Sequence, residues 1–136
     1  MGFDNKSNQQ QEQIDYYAKI KNEILNKNRF DENEYLDNLK ELVRDLLGKY
    51  RDGISSSQLR NVFSRVKNIK EPKELYSLRP KLAYIYGRPN SKKGMKRLIN
   101  YMDEQIIKVD SKEKLKQFQN FFESVIAYHK YLGGKD

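Results

Sequence analysis

The chain of 136 residues has no cysteine and no tryptophan, and only one histidine and three prolines. Without cysteine it has no disulfide framework, no thiolate metal ligand and no thiol nucleophile, so packing alone holds the interior. This fits a reducing compartment. A single histidine removes the usual zinc sets and most nucleophile–base pairs. His129 falls on an apolar helical stripe and reads as a packed, hydrogen-bonded helix residue. Long apolar runs are missing too, since none approaches the roughly 18 residues a membrane span needs. The start, MGFDNKSNQQQEQ, lacks the apolar core of a signal peptide, and Lys6 stands where the myristoylation pattern wants a hydroxyl. A soluble cytoplasmic protein is expected. NSKKG lacks the upstream glycine and the Gly-Lys-Ser/Thr order of a phosphate-binding loop. DENEYLD lacks the glycine and distal glutamate of a calcium loop and reads as a solvated helix start. No active site emerges, so a chain without enzymatic activity, metal or cofactor is expected.

Alternation with period 2 is also absent over any strand's length, whereas helical spacing recurs throughout. Residues 1–12 are Gln- and Asn-rich with one aromatic, and bury too little to offset ordering entropy, so they are read as a disordered tail. Residues 13–136 then form one domain, since the chain is too short for two cores. Ile14, Tyr17, Ala18, Ile24 and Leu25 predict a first helix. The stripe from Tyr35 and Leu36 through Leu46, Leu47 and Tyr50 predicts a second, with Gly53 at its C-terminus. Ser55 and Gln58 have capping-box spacing and open a third, which runs through Val66 and Ile69 and stops near Lys70. Glu71 precedes Pro72 and is pushed out of the helical region, and Pro72 suits the first turn of the next helix.

That fourth helix carries Leu75, Leu78, Leu82 and Ile85 and ends at Gly87 with Arg88-Pro89. Pro80 inside it predicts a kink, or two short helices meeting at Arg79. A fifth helix runs from Met95 to Ile106. Asp110 with Glu113 opens the last, which the Gly133-Gly134 pair ends. The fold class is all-α, a compact bundle of five or six helices with short loops.

Charge is the least evenly spread property. Lys and Arg outnumber Asp and Glu by 27 to 19. Residues 60–97 hold twelve Lys or Arg against Glu71 and Glu74, an excess of ten that exceeds the net charge of +8. Residues 1–59 count nine against eleven, and residues 98–136 six against six. A localised basic stretch is an electrostatic footprint for phosphates. On the third helix Arg60 and Lys67 share one face with Ser64 between them. On the fourth, Lys81, Tyr84 and Arg88 repeat at helical steps and continue into Lys92 and Lys93. Two such ridges on successive helices can form one groove that follows a sugar-phosphate backbone without reading bases. Tyr84 and Tyr86 are candidates to stack on bases, against the alternative that they belong to the core or its rim.

The order SSSQLRNVFSRV, ELYSLRPKLAYIYGR and FQNFFESVIAYHKYLGGKD resembles the small subunit of the type III-A CRISPR Csm effector complex, over roughly residues 55–136. The resemblance implies a non-catalytic, all-helical subunit in several stacked copies. It also implies contact with guide RNA, target RNA and other Csm subunits. It places Arg60 in the family's Ser-Gln-Leu/Ile-Arg pattern, and Arg79, Lys81 and Arg88 in its Arg-Pro-Lys-Leu-Ala-Tyr and Gly-Arg patterns. Lys67, Lys92 and Lys93 join them on charge and helix geometry alone. The competing expectation is a structural adaptor whose basic face meets acidic protein partners. The C-terminal motif reads as packing and assembly.

Overall fold

The computed structural model describes residues 13–135; the tail expected over 1–12, and Asp136, lie outside the described residues. Seven helical segments follow one another among the described residues, with no strand. They are α1 Tyr16–Ile20, α2 Glu32–Leu47, α3 Ser56–Val66, α4 Pro72–Tyr76, α5 Arg79–Gly87, α6 Lys93–Ile107 and α7 Lys112–Tyr131. The all-α bundle expected from the periodicity is what the chain forms, with the fourth helix divided at Ser77 and Leu78. None of these helices is long and apolar enough to cross a membrane.

The central element is α2, which packs against α1, α6 and α7. The acidic stretch starts it as expected: Asp31 accepts a hydrogen bond from the Glu34 N–H at 3.0 Å, and Glu32 and Glu34 sit in the first turn. Both charges favour the positive end of the helix. Its buried stripe is Tyr35, Leu39, Leu42, Val43, Leu46 and Leu47. Burial pushes the Tyr35 hydroxyl up to about 12, against the opposing pull of the Arg29 guanidinium, which lies 3.8 Å from the Tyr35 ring. A phenol whose folded pKa lies above the unfolded value of about 10 contributes stability below pH 10 that is lost as pH rises through 12. Tyr35→Phe should therefore flatten the alkaline loss of stability by roughly 2–3 kcal/mol. At neutral pH it should change stability by no more than about 1 kcal/mol, because the hydroxyl removed is desolvated but lies near Arg29. Urea unfolding at pH 7, 10 and 11.5 checks both.

The stripe stops three residues short of the expected Tyr50, which is exposed, because Gly48 turns the chain at φ +73°. Gly53 is therefore not the helix terminator. It is a close-approach residue, since a Cβ there would lie 2.1 Å from the Leu46 carbonyl oxygen. A Cβ on Gly94 would lie 1.9 Å from that same oxygen and 2.7 Å from the Gly53 oxygen. The Met95 N–H donates to the Gly53 carbonyl at 2.8 Å. The end of α2, the following loop and the start of α6 thus meet backbone to backbone.

Ser55 caps α3 as expected, accepting from the Gln58 N–H at 3.3 Å. The helix ends at Val66 rather than near Lys70. Gln119 of α7 donates to the Val66 and Ile69 carbonyls, both at 3.0 Å, and so satisfies groups that another helical turn would have used. Glu71 is extended at φ −131° and ψ 144°, and Pro72 opens α4, both as expected. The first helix is shorter than its spacing suggested: α1 has five residues, and turns follow to Leu25. It is held by tertiary contacts. The Tyr17 ring stacks on Tyr101 at 3.9 Å, its hydroxyl donates to Glu104, and Gln105 donates to both that hydroxyl and the Lys21 carbonyl.

The N-cap of α7 is Ser111, not Asp110. The Ser111 hydroxyl accepts from the Lys114 N–H at 3.1 Å, and Asp110 forms an ion pair with the Lys114 side chain at 3.1 Å. At the other end Gly133 takes φ +78°. Its N–H donates to the Lys130 carbonyl and that of Gly134 to the His129 carbonyl, the bond pair of a left-handed helix terminus. The chain then folds back. The Lys135 N–H donates to Arg51, Arg51 Nε donates to the Leu132 carbonyl, and the Ser56 hydroxyl donates to the Lys135 carbonyl. The double glycine thus packs the C-terminal residues over buried His129 and against the α2–α3 loop.

Candidate nucleic-acid interface

The opening of α5 removes the difficulty that Pro80 presented. Pro80 is the second residue of the helix, where a missing N–H breaks no intrahelical bond. At the far end Gly87 has no positive φ. The stop comes from Pro89, which forces Arg88 into extended backbone at φ −69° and ψ 143°. Leu82 and Ile85 are buried, and Tyr84 and Arg88 are exposed. The helix is thus a ridge with a cleft on either flank.

On the α3 side, Lys81 shares a cleft of about 250 Å³ with Arg65, Ile69, Glu74, Ser77 and Leu78. The α3 wall carries Arg65, where helix spacing had placed Arg60 and Lys67. Leu59, Val62 and Val66 occupy the buried face, and Phe63 packs on Phe122 of α7 at 5.8 Å. Lys67 Nζ lies 6.0 Å from the Phe63 ring, so the Arg60–Lys67 side follows α7. Arg65, about 140° further round the helix, faces the ridge. Sequence spacing separates these flanks but does not say which one meets α5.

On the α6 side, Arg79 Nε donates to Asp103 Oδ1 at 2.7 Å and a terminal guanidinium nitrogen to Oδ2 at 3.2 Å. This two-bond fork fixes the angle of α5 on α6. The same carboxylate raises the Arg79 pKa, chiefly through the hydrogen bond. Arg79 therefore lies apart from Lys81 and has its charge matched within the fold.

Lys81, Arg88, Lys92 and Lys93 lack the ion pairs that several of the chain's other cations make. Lys27 pairs with Glu113, Arg97 with Asp45 and Lys112 with Glu71. Those four form no ion pair and no side-chain hydrogen bond with a described residue. Arg88 and the two lysines are exposed, and Lys81 is half-buried. Lys92 is the N-cap of α6 and Lys93 its first residue, where each charge opposes the helix dipole at a cost of about 0.3–1 kcal/mol. The fold draws no internal gain from this placement. An external polyanion would reverse its sign, because helix N-termini favour negative charge. No group of three or more His, Cys, Asp or Glu among the described residues is placed to hold a metal ion.

A family model described as Csm2 Type III-A matches residues 37–135. No curated protein and no solved structure matches the chain. The matched span begins inside α2 and includes Arg60, Arg65, Lys67, Arg79, Lys81, Arg88, Lys92 and Lys93.

Proposed function

We propose that this chain, which belongs to the Csm2 Type III-A family, grips RNA within the type III-A CRISPR effector complex. Its family makes it a structural small subunit of that complex, alongside other Csm subunits. Beyond that, the reading is of a non-catalytic cytoplasmic subunit present in several stacked copies. Its basic face lies along guide RNA and target RNA largely independently of sequence.

The observation that carries the RNA contact is the set Lys81, Arg88, Lys92 and Lys93, unmatched by any described acidic partner around one ridge. Long cationic side chains reach phosphates whatever the bases, which suits an A-form duplex whose deep groove is closed to side chains. Arg65 adds a fifth cation across the cleft from Lys81. Arg60 and Lys67 extend the same positive field toward α7, and Arg79, its charge matched by Asp103, holds the ridge at its angle.

Three or four phosphate contacts predict that binding of an RNA duplex by the isolated protein falls with salt at a log–log slope of about −3. Affinity should drop about 60-fold between 50 and 200 mM salt. Fluorescence anisotropy measures it, and a flat salt dependence would rule out a phosphate grip. If the subunit stayed in the complex after nuclease treatment, and charge reversals on the ridge expelled it without altering RNA affinity, the adaptor reading would replace this one.

A further inference from the structure

The second flank of α5 is unused by the phosphate-gripping ridge. Between α5 and α6 lies a groove of about 640 Å³, within the roughly 300–1,000 Å³ of small-ligand sites. One wall is Tyr76, Pro80, Ala83 and Tyr86, and the other carries Asn100 and Asp103. Both tyrosines present ring surface, with Tyr76 39% and Tyr86 38% exposed. The Tyr76 hydroxyl donates to the Val109 carbonyl, which fixes its ring. Lys96 Nζ lies 5.3 Å from the Tyr86 ring. Lys92, Lys96, Asn100 and Asp103 follow one row of α6 at steps of three and four residues, so a cationic mouth leads to a polar edge. Asn100 is exposed and its amide makes no hydrogen bond with a described residue, leaving a donor and an acceptor available. Flat apolar walls, an open amide and adjacent lysines together suit a flat ring with a polar edge carried on a phosphate chain.

We propose that this groove takes one unpaired nucleobase of single-stranded RNA. The base stacks on Tyr86, its edge meets Asn100 and the Arg79–Asp103 pair, and its phosphate lies at Lys96 and Lys92. The site rests on the RNA-binding reading and adds to it a preference for an unstacked nucleotide. Stacking of this kind is sequence-tolerant, because every base has a π face. A protein segment would also need to satisfy the cationic mouth, which already continues the unmatched cations of the ridge. The observations therefore favour RNA.

The test uses the full chain, a ten-nucleotide RNA containing one 2-aminopurine, and an RNA duplex of equal length, with Tyr86→Leu and Ala83→Leu as variants. Ala83 is exposed, so leucine fills the groove without entering the core. The wild type should quench 2-aminopurine fluorescence on binding. Each variant should lose the quench and bind the single strand about tenfold more weakly, with duplex affinity within about twofold of wild type. Unchanged quenching in both variants would overturn the base site. Equal weakening for duplex and single strand would overturn it too, while leaving the RNA grip in place. Changed self-association with unchanged RNA affinity would assign the groove to a second copy instead. If the wild type bound neither RNA, both readings would fall together.

Discussion

Replacing Lys81, Arg88 and Lys93 together by glutamate is expected to weaken binding of an RNA duplex at least 100-fold at about 50 mM salt. The magnitude follows from charge. Three phosphate contacts are lost and three repulsions take their place, a change of six units on one ridge, and 100-fold corresponds to about 2.7 kcal/mol. The fold should survive, because none of these side chains has an ion pair or hydrogen bond with a described residue to lose. A melting temperature no lower than that of the wild type, since glutamate at position 93 suits the helix N-terminus, beside the lost affinity, by circular dichroism and anisotropy, is the expected pair of results. Arg79→Glu should behave differently. It destroys the fork to Asp103 and sets two carboxylates against each other, so stability falls along with binding. Wild-type affinity in the triple variant would remove the ridge from the interface.

Gly94→Ala is expected to destabilise the chain by about 3 kcal/mol or more. Alanine is the better helix former by about 1 kcal/mol, so propensity alone predicts the opposite sign. Contact decides the outcome: the added Cβ would sit 1.9 Å from the Leu46 oxygen and 2.7 Å from the Gly53 oxygen. Both are backbone atoms in a junction that cannot yield by rotating a side chain. Gly48→Ala isolates the other role of glycine here. Its Cβ meets nothing within 4 Å, but the residue sits at φ +73° and ψ −177°, a backbone region open essentially to glycine alone, with a strain of about 1–3 kcal/mol. Urea unfolding of the two variants should therefore separate them. Equal midpoints would mean that α6 does not dock on the end of α2 as described.

Local chemistry was legible in the sequence where the cause was local. The Ser55 cap, the extended Glu71, Pro72 at a helix start and the buried row Leu75, Leu78, Leu82 and Ile85 all follow from residues a few positions apart. What the sequence could not show was decided across the fold. Gly53 reads as a helix terminator until Leu46 and Gly94 are found against it. Asp110 and Ser111 are both good caps in tandem, and spacing alone does not reveal that Lys114 takes one through its backbone and the other through its side chain. For the candidate interface, spacing identified Lys81, Arg88 and the loop lysines as one basic edge. It gave no sign that Asp103, 24 residues away, takes the Arg79 guanidinium, or that Arg65 faces Lys81. The family resemblance supplied the complex to which the chain belongs. Composition, with its excess of ten cations over residues 60–97, pointed only to a polyanion.

The most direct measurement is ultraviolet cross-linking of the assembled complex on guide RNA paired with target RNA, with adducts on this subunit mapped by mass spectrometry. An RNA-facing ridge predicts adducts within residues 79–93, centred on Lys81, Tyr84, Arg88, Lys92 and Lys93, and the same positions for two unrelated guide sequences. RNA adducts confined to α1, α2 or α7, with residues 79–93 cross-linked only to neighbouring protein subunits, would contradict it.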